Sequence, residues 1–430
     1  MKIRWSILNS PSLGSLAASV FSQGMLLLSG PATARLLGVT GRGEYALLII
    51  IATFGGFFGG AGLPTAITYT LASQHVSARA ILRVVASTWL RLCLAAGLLS
   101  ALAVLVIAHR DTFSAQCFDA VLVALCVIAG MTAQLILACI QGEHRFRALN
   151  LLRSVFVTLS AVSLVTLWLV VRHAGVEVAL GVNAAAYFAV CLVGGGFIAV
   201  TSHAPSGDVN VSTRFLMRYG LASLAGGNAP LETLQIDQAV VGLVLSRYAL
   251  GLYAVGSAFD NLPGILVSGV GMIALPRMAS AHDRGSRIAV MKRSLLLAAL
   301  LAGVATVFAE AIVGWLLPVA FGEAFAPAVV PARVLILAGF FMGMRRIFVA
   351  FLQGGGRPGQ TGVGEILALA TLLLLAALLV PALGLVGASL ALLGAALASN
   401  IYLLWALRDP GGESHPLAAT EGEHERRSGG

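Results

Sequence analysis

The stretch TARLLGVTGRGEYALLIII, residues 33–51, places a short polar segment between two long apolar runs. Three glycines, two arginines, a glutamate and a tyrosine fall within residues 35–45. Apolar runs of about 20 residues are long enough to cross the hydrocarbon layer as helices. The glycines therefore predict a tight turn that joins two spans, and the same pattern of long apolar runs and short polar segments continues along the chain.

The composition of the 430-residue chain is that of a membrane protein, with 58% hydrophobic and 10% charged residues. A soluble fold would lack the polar residues to cover its surface. Runs such as ALATLLLLAALLV do not alternate as barrel strands do, so the spans are expected to be helical. They predict an all-α integral membrane fold of about twelve spans, near 12–36, 44–71, 84–108, 118–141, 149–171, 177–200, 215–245, 248–275, 293–317, 327–352, 361–383 and 386–407.

The distribution of Lys and Arg predicts the orientation. With a cytoplasmic N-terminus, about 20 of the 27 lie in inner segments and about 6 in outer ones, while Arg91 falls within a span. This bias favours cytoplasmic termini and explains the net charge of +9 without a nucleic-acid partner. A cleaved signal peptide is the alternative for the first span, because ATA at 32–34 resembles a cleavage site, but the apolar region is longer than signals usually have.

The same order of features occurs twice along the chain. Tyr45 and Tyr253 lie 208 positions apart, whereas Pro64 and Pro276, and the Gln-Gly pairs at 141 and 353, lie 212 apart. Such near-constant offsets indicate a duplicated six-span unit, with copies related by a pseudo-two-fold axis along the membrane normal and a cavity between them. The expected division is an N-terminal bundle at 1–200, a cytoplasmic linker at 201–214, a C-terminal bundle at 215–407 and a disordered cytoplasmic tail at 408–430.

Polar residues inside the predicted spans mark the expected cavity, because ionisable groups rarely face lipid. They are Ser19 and Gln23 in span 1, Asn228, Glu232 and Asp237 in span 7, and Tyr253, Ser257, Asp260 and Asn261 in span 8. Structural roles stay open, since serines bond to their own backbone and carboxylates pair with arginines that hold helices together. Arg91 is expected to be neutralised by one of the carboxylates.

Signatures of soluble enzymes are lacking in the sequence. The eight histidines are scattered, the glycine clusters lie in spans without the context of a phosphate loop, and no metal or cofactor motif is present. The five cysteines are odd in number and mostly lie in apolar runs, which predicts buried free thiols. A protein that is not an enzyme is therefore expected.

A resemblance to a known family covers nearly the whole chain. The stretches that carry it are ARLLGVTGRGEYAL at 34–47, IDQAVVGLVLSRYALGLYAVGSAF at 236–259, LPRMAS at 275–280, FGEAFAPAVVPARVLILAGFFMG at 321–343, LQGGGRP at 352–358 and VPALGLVGASLA at 380–391. They resemble the polysaccharide transporter family, which includes O-antigen and exopolysaccharide repeat-unit flippases. It shares a superfamily with lipid II flippases and multidrug and toxin extrusion transporters. The resemblance implies two six-helix bundles in a V that open alternately to either side of the bacterial inner membrane.

The resemblance also implies a substrate, an undecaprenyl-pyrophosphate-linked oligosaccharide that passes from the cytoplasmic to the periplasmic leaflet while its tail stays in membrane lipid. Carboxylates at Glu232, Asp237 and Asp260 are candidates for sugar hydroxyls or for a coupling ion, H⁺ or Na⁺. Polymerase and export machinery are candidate partners. The candidates to attract the pyrophosphate are Arg35, Arg91, Arg247, Arg345 and Arg346.

Two other functions compete with this interpretation. A cation-coupled multidrug exporter predicts acidic residues in the N-terminal bundle, but spans 1 to 6 have none at mid-depth. A membrane glycan polymerase or ligase predicts a large periplasmic loop with essential arginines or histidines, whereas the longest predicted outer loop is only about 109–117.

Overall fold

The computed structural model describes residues 11–74, 76–108, 112–202, 211–226, 230–265, 267, 269–271, 284–354 and 357–408. Within these ranges every regular element is helical. The α-helices, labelled in chain order, are α1 (Pro11–Gly59), α2 (Leu63–Gln74), α3 (Ala78–Ile107), α4 (Phe113–Gly142), α5 (Phe146–Val171), α6 (Val176–Thr201), α7 (Thr213–Gly226), α8 (Pro230–Thr233), α9 (Ile236–Val244), α10 (Arg247–Gly256), α11 (Arg284–Phe321), α12 (Val329–Gly354) and α13 (Pro358–Arg408).

The described helices account for the twelve predicted spans. Nine segments of this part of the chain are long and apolar enough to cross a membrane. Two of them, α1 and α13, each turn at an internal glycine with a left-handed φ, 70° at Gly38 and 56° at Gly384, so each supplies two spans. The twelfth, predicted at 215–245, consists of α7, α8 and α9. The predicted fold class is thus confirmed.

Short polar caps start several helices where the apolar runs begin. The hydroxyl of Ser77 accepts from the Ala80 N–H at the start of α3, and that of Ser246 accepts from the Ala249 N–H at the start of α10, 3.2 Å away. Thr112 caps α4 in the same way. Such caps satisfy N–H groups that lack a partner within the helix, and they fix where each span begins.

Helix boundaries repeat with the offset predicted from the sequence. Gly142 ends α4 and Gly354 ends α12, 212 positions apart, and the next helix starts four residues later in both halves. The positive φ of Gly384 also recurs 212 positions earlier, at Arg172, where φ is 65°. The duplicated six-span unit is therefore visible in the backbone as well as in the sequence.

The two bundles meet closely at the end where α1 turns, here called the Gly38 end. A Cβ on Gly43 would lie 1.8 Å from the Arg247 carbonyl oxygen, and a Cβ on Gly251 would lie 2.0 Å from the Val39 carbonyl oxygen. Backbone therefore touches backbone where α1 crosses α10, and only glycine fits at these two positions. This contact explains why the opening stretch is rich in glycine.

The bundles also meet nearer the opposite end, here called the Gly142 end, where α2 packs against α7. The rings of Tyr69 and Tyr219 stack there with centroids 4.7 Å apart. The predicted 44–71 span is not continuous, because the chain adopts positive φ at Ala61 and Gly62 and starts the new helix α2. A Cβ on Gly62 would lie 2.0 Å from the Gly220 carbonyl oxygen, so this break lets α2 approach α7.

The ends of the proposed domain scheme remain predictions. Residues 203–210 of the predicted linker and 409–430 of the predicted tail lie outside the described part of the chain.

The five cysteines are free thiols: Cys93, Cys126 and Cys139 are buried, and Cys117 and Cys191 are half-buried.

Candidate functional site

Four charged side chains of the C-terminal bundle form one group, here called the ionic cluster: Glu232, Arg345, Arg346 and Glu365. Glu232 lies in α8, the two arginines in α12 and Glu365 in α13. Arg345 lies nine residues before the end of α12, which is about 14 Å along the helix axis. The cluster therefore lies well inside the bundle rather than at its edge.

Arg345 is the buried centre of the cluster, with 4% of its side chain exposed. Its Nη1 lies 3.3 Å from Glu232 Oε1, and its Nη2 forms an ion pair with Glu365. Its Nε donates to Ser399 Oγ at 3.1 Å. Because a buried charge is tolerated only when paired and hydrogen-bonded, these partners make Arg345 a structural centre of the bundle.

Glu365 connects this centre to the break in span 7. Its Oε1 accepts from the Leu231 N–H at 2.8 Å, while its other oxygen pairs with Arg345. Leu231 lies in the first turn of the short helix α8, where backbone N–H groups lack a partner within the helix. Sequence analysis missed Glu365, although a single acid in the apolar 361–383 run is the same signal that identified Glu232.

Arg346 and Glu232 form the accessible part of the cluster. Arg346 Nη2 lies 2.9 Å from Glu232 Oε2, and the two side chains are 34% and 26% exposed. A Cβ on Gly264 would lie 2.8 Å from Arg346 Nη1, so the guanidinium rests against the backbone that follows α10. This pair is therefore the part of the cluster that a ligand can reach.

A second polar network joins α9 to α10. The Tyr253 hydroxyl donates to Asp237 Oδ2 at 2.9 Å, and the Gln238 side-chain amide donates to Ser257 Oγ at 3.0 Å. All four side chains are buried. The hydrogen bonds satisfy the polar groups that the fold places in the apolar interior.

Asp260 and Asn261 follow the 3₁₀ turn Ser257–Phe259. Asp260 is half-buried and lies within electrostatic range of Arg346 and Glu232, whereas Asn261 is exposed. A Cβ on Gly339 would lie 1.8 Å from the Asp260 carbonyl oxygen, so the missing side chain lets α12 approach this turn. Asp260 is therefore a second acid near Arg346, in addition to Glu232.

The other predicted site residues lie elsewhere. Arg91 is exposed midway along α3, and Gln23 is half-buried in α1. Arg35 and Arg247 lie at the Gly38 end and donate to backbone carbonyls of the opposite bundle. The Ser19 side chain and all of Asn228 fall outside the described atoms.

A separate apolar groove of about 560 Å³ runs between the two bundles, lined by the second half of α1 together with α3 and α9. Ser100 supplies its single hydroxyl among the lining residues, and none of them carries a charge. A charged ligand would lose its hydration there without compensation.

Among the described His, Cys, Asp and Glu side chains, no group of three could hold a metal ion.

Two six-span bundles with ionisable side chains packed inside one of them define a multi-pass helical membrane protein. The structure is similar to "Lipid II flippase MurJ, inward closed conformation", with a TM-score of 0.70 and 14% identity over 91% of this chain and 87% of that one. It is also similar to an inward-facing multidrug resistance MATE family transporter of the MOP superfamily, with a TM-score of 0.68 and 15% identity over 92% of this chain and 97% of that one. It is similar as well to a MOP superfamily transporter from Pyrococcus furiosus, with a TM-score of 0.59 and 14% identity over 92% of this chain and 93% of that one.

Residues 13–282 match the family model described as "Polysaccharide biosynthesis protein". This match covers more than half of the chain, which therefore belongs to that family. No curated protein matches it in sequence. The protein is thus a multi-pass membrane protein with the fold of MOP superfamily flippases and transporters, and the predicted family resemblance is confirmed.

Proposed function

We propose that this protein moves an undecaprenyl-pyrophosphate-linked oligosaccharide from the cytoplasmic to the periplasmic leaflet of the bacterial inner membrane by alternating access. The Gly142 end then faces the cytoplasm, as the positive-inside count predicts. Membership of the polysaccharide biosynthesis family supports this class of substrate. The accessible Arg346–Glu232 pair is the observation that carries the proposal.

Arg346 is the best placed of the five candidate arginines to bind the pyrophosphate. Arg345 is buried between two carboxylates, whereas Arg346 is one-third exposed and pairs with Glu232, which it shares with Arg345. A phosphate oxygen could replace Glu232 on Arg346 without leaving Arg345 unpaired, because Glu365 stays in place. Bidentate guanidinium–phosphate bonds are strong and directional.

The acids beside Arg346 supply the other half of the site. Glu232 and Asp260 can accept hydrogen bonds from sugar hydroxyls, or can hold a coupling H⁺ or Na⁺. The exposed Asn261 adds amide groups of the kind that bind sugars. The apolar tail stays in membrane lipid. Released product would pass to a polymerase and to export machinery.

Deletion of the gene followed by complementation tests the proposal. Loss of the surface polysaccharide together with accumulation of completed lipid-linked repeat units on the cytoplasmic side is the expected result. Normal surface polysaccharide in the deletion strain would contradict the proposal. If that strain also became sensitive to cationic drugs, the result would favour the cation-coupled exporter.

Substitutions at Arg346 test the site itself. Arg346→Gln is expected to reduce translocation about 10- to 100-fold, the equivalent of one charged hydrogen bond to phosphate. Arg346→Lys should fall in between, because it keeps the charge and loses the bidentate fork. The control is Arg293→Gln, an exposed position of α11, compared at equal protein levels. Full activity of Arg346→Gln would refute the role of this residue.

A further inference from the structure

Arg35 bonds across the bundle boundary at the Gly38 end. It belongs to α1, in the N-terminal bundle, and its Nε donates to the Ala320 carbonyl oxygen at 2.8 Å. Its Nη2 donates to the Val319 carbonyl oxygen. Both carbonyls lie in the last turn of α11, in the C-terminal bundle. The guanidinium also lies over the Trp168 ring, 5.5 Å from its centroid.

Arg247 makes the reciprocal contact. It begins α10, in the C-terminal bundle, and its Nη2 donates to the Ile107 carbonyl oxygen at 2.7 Å. Ile107 is the last residue of α3, in the N-terminal bundle. Ile107 and Val319 lie 212 positions apart, so the two arginines cap equivalent helices of the two repeats. Each bundle therefore supplies one arginine and one helix end.

The chemistry of these contacts favours a closed Gly38 end. The last four carbonyls of a helix lack partners in the helix and carry a partial negative charge, so a guanidinium there is stabilising. Beneath the arginines, buried apolar side chains of both bundles pack in one cluster, which includes Val39 from α1, Leu252 and Val255 from α10, and Val313 from α11. The arginines close the polar rim of this apolar contact.

We propose that Arg35 and Arg247 form a reciprocal latch that holds the two bundles together at the Gly38 end and must release both helix ends when that end opens. In the closed state the two arginines are thereby engaged with carbonyls rather than with a pyrophosphate. The proposed function is needed only for the statement that this opening is a step of transport. The latch itself is a property of the conformation and can be tested without substrate.

A cysteine at position 39, in the apolar contact between the two bundles, reports the opening of the Gly38 end. Val39, 8% exposed, is replaced by cysteine in a chain whose five native cysteines have been changed to alanine. The purified protein in nanodiscs is treated with a water-soluble maleimide, so that neither membrane orientation nor substrate affects the result. Arg35→Ala or Arg247→Ala should raise the labelling rate about tenfold each, and the double variant about 100-fold if the two caps act independently.

Two controls separate opening from general loosening. Arg333→Ala removes an arginine of α12 whose ion pair with Glu310, 3.9 Å, stays within one bundle, and it should leave the rate unchanged. A second chain keeps only Cys139, which is fully buried in α4, and it should stay unlabelled in the double arginine variant. An unchanged rate at Val39→Cys in the double variant would overturn the latch. Equal acceleration by Arg333→Ala, or labelling of Cys139, would overturn it as well.

Discussion

Replacement of Glu365 by glutamine tests the ionic cluster most directly. The side chain keeps its shape, and its amide oxygen can still accept from the Leu231 N–H, so the break in span 7 keeps its hydrogen bond. The change removes one negative charge beside Arg345, which is 4% exposed and would be left with Glu232 at 3.3 Å. That carboxylate is already shared with Arg346.

The structure sets the size of the expected effect. Loss of one partner of a buried pair costs about 3 to 5 kcal/mol, and the remaining Glu232 places Glu365→Gln near the lower limit, about 3 kcal/mol. Glu323→Gln is the matched control, since Glu323 is an exposed residue of the 3₁₀ turn Glu323–Ala328. A change at such a surface site is expected to cost less than about 0.5 kcal/mol.

A double-mutant cycle in mixed micelles measures this interaction. The free energies of unfolding are compared for Glu365→Gln, Arg345→Met and the double variant. The double variant should be about 2 kcal/mol more stable than the sum of the single changes predicts, because neither charge is then left without its partner. A Glu365→Gln protein as stable as Glu323→Gln, or an additive cycle, would refute the account of Arg345 as a paired buried charge.

Three further outcomes follow from the fold. Gly43→Ala should lower the thermal midpoint of unfolding strongly, because its Cβ would lie 1.8 Å from the Arg247 carbonyl oxygen. Gly181→Ala is the control and should leave the midpoint unchanged, because a Cβ there meets nothing within 4 Å. Equal midpoints in the two variants would contradict the close contact at Gly43. Tyr253→Phe should cost about 1 to 3 kcal/mol of stability, since the buried Asp237 carboxylate of α9 loses one hydrogen-bond donor. Tyr248→Phe, at an exposed position, should cost almost nothing, and the same loss in both variants would exclude a specific hydrogen bond. A cysteine at Ser206 should resist an impermeant reagent in intact cells, and labelling there would reverse the predicted orientation.

The sequence predicted what depends on local pattern. Span length follows from the apolar runs, and the turn at Gly38 follows from glycine's access to positive φ. The repeat was visible because Tyr45 and Tyr253 keep their places within each copy. These features need no knowledge of which helices become neighbours, so the fold class could be predicted from one chain.

The partners of the charged side chains could not be predicted in this way. Arg35 and Arg247 were predicted as candidates to bind the pyrophosphate, but they bond to carbonyls of helices 285 and 140 positions away along the chain. Arg345 and Arg346 are neighbours in sequence, yet one is buried and the other is accessible, because α13 covers only one of them. Such differences arise from tertiary packing.

The divided seventh span packs against both bundles. Its first helix, α7, packs mainly against α2 of the N-terminal bundle and less against α13, whereas its last helix, α9, packs mainly against α10 and α13 of the C-terminal bundle and less against α1. The main packing partner of this span therefore changes between α7 and α9, in the region that holds α8 and Gln235. A C-terminal half cut at 215 would carry α7 without α2, its main neighbour, whereas a half that starts at Pro230 would keep α8 and α9 together with α13.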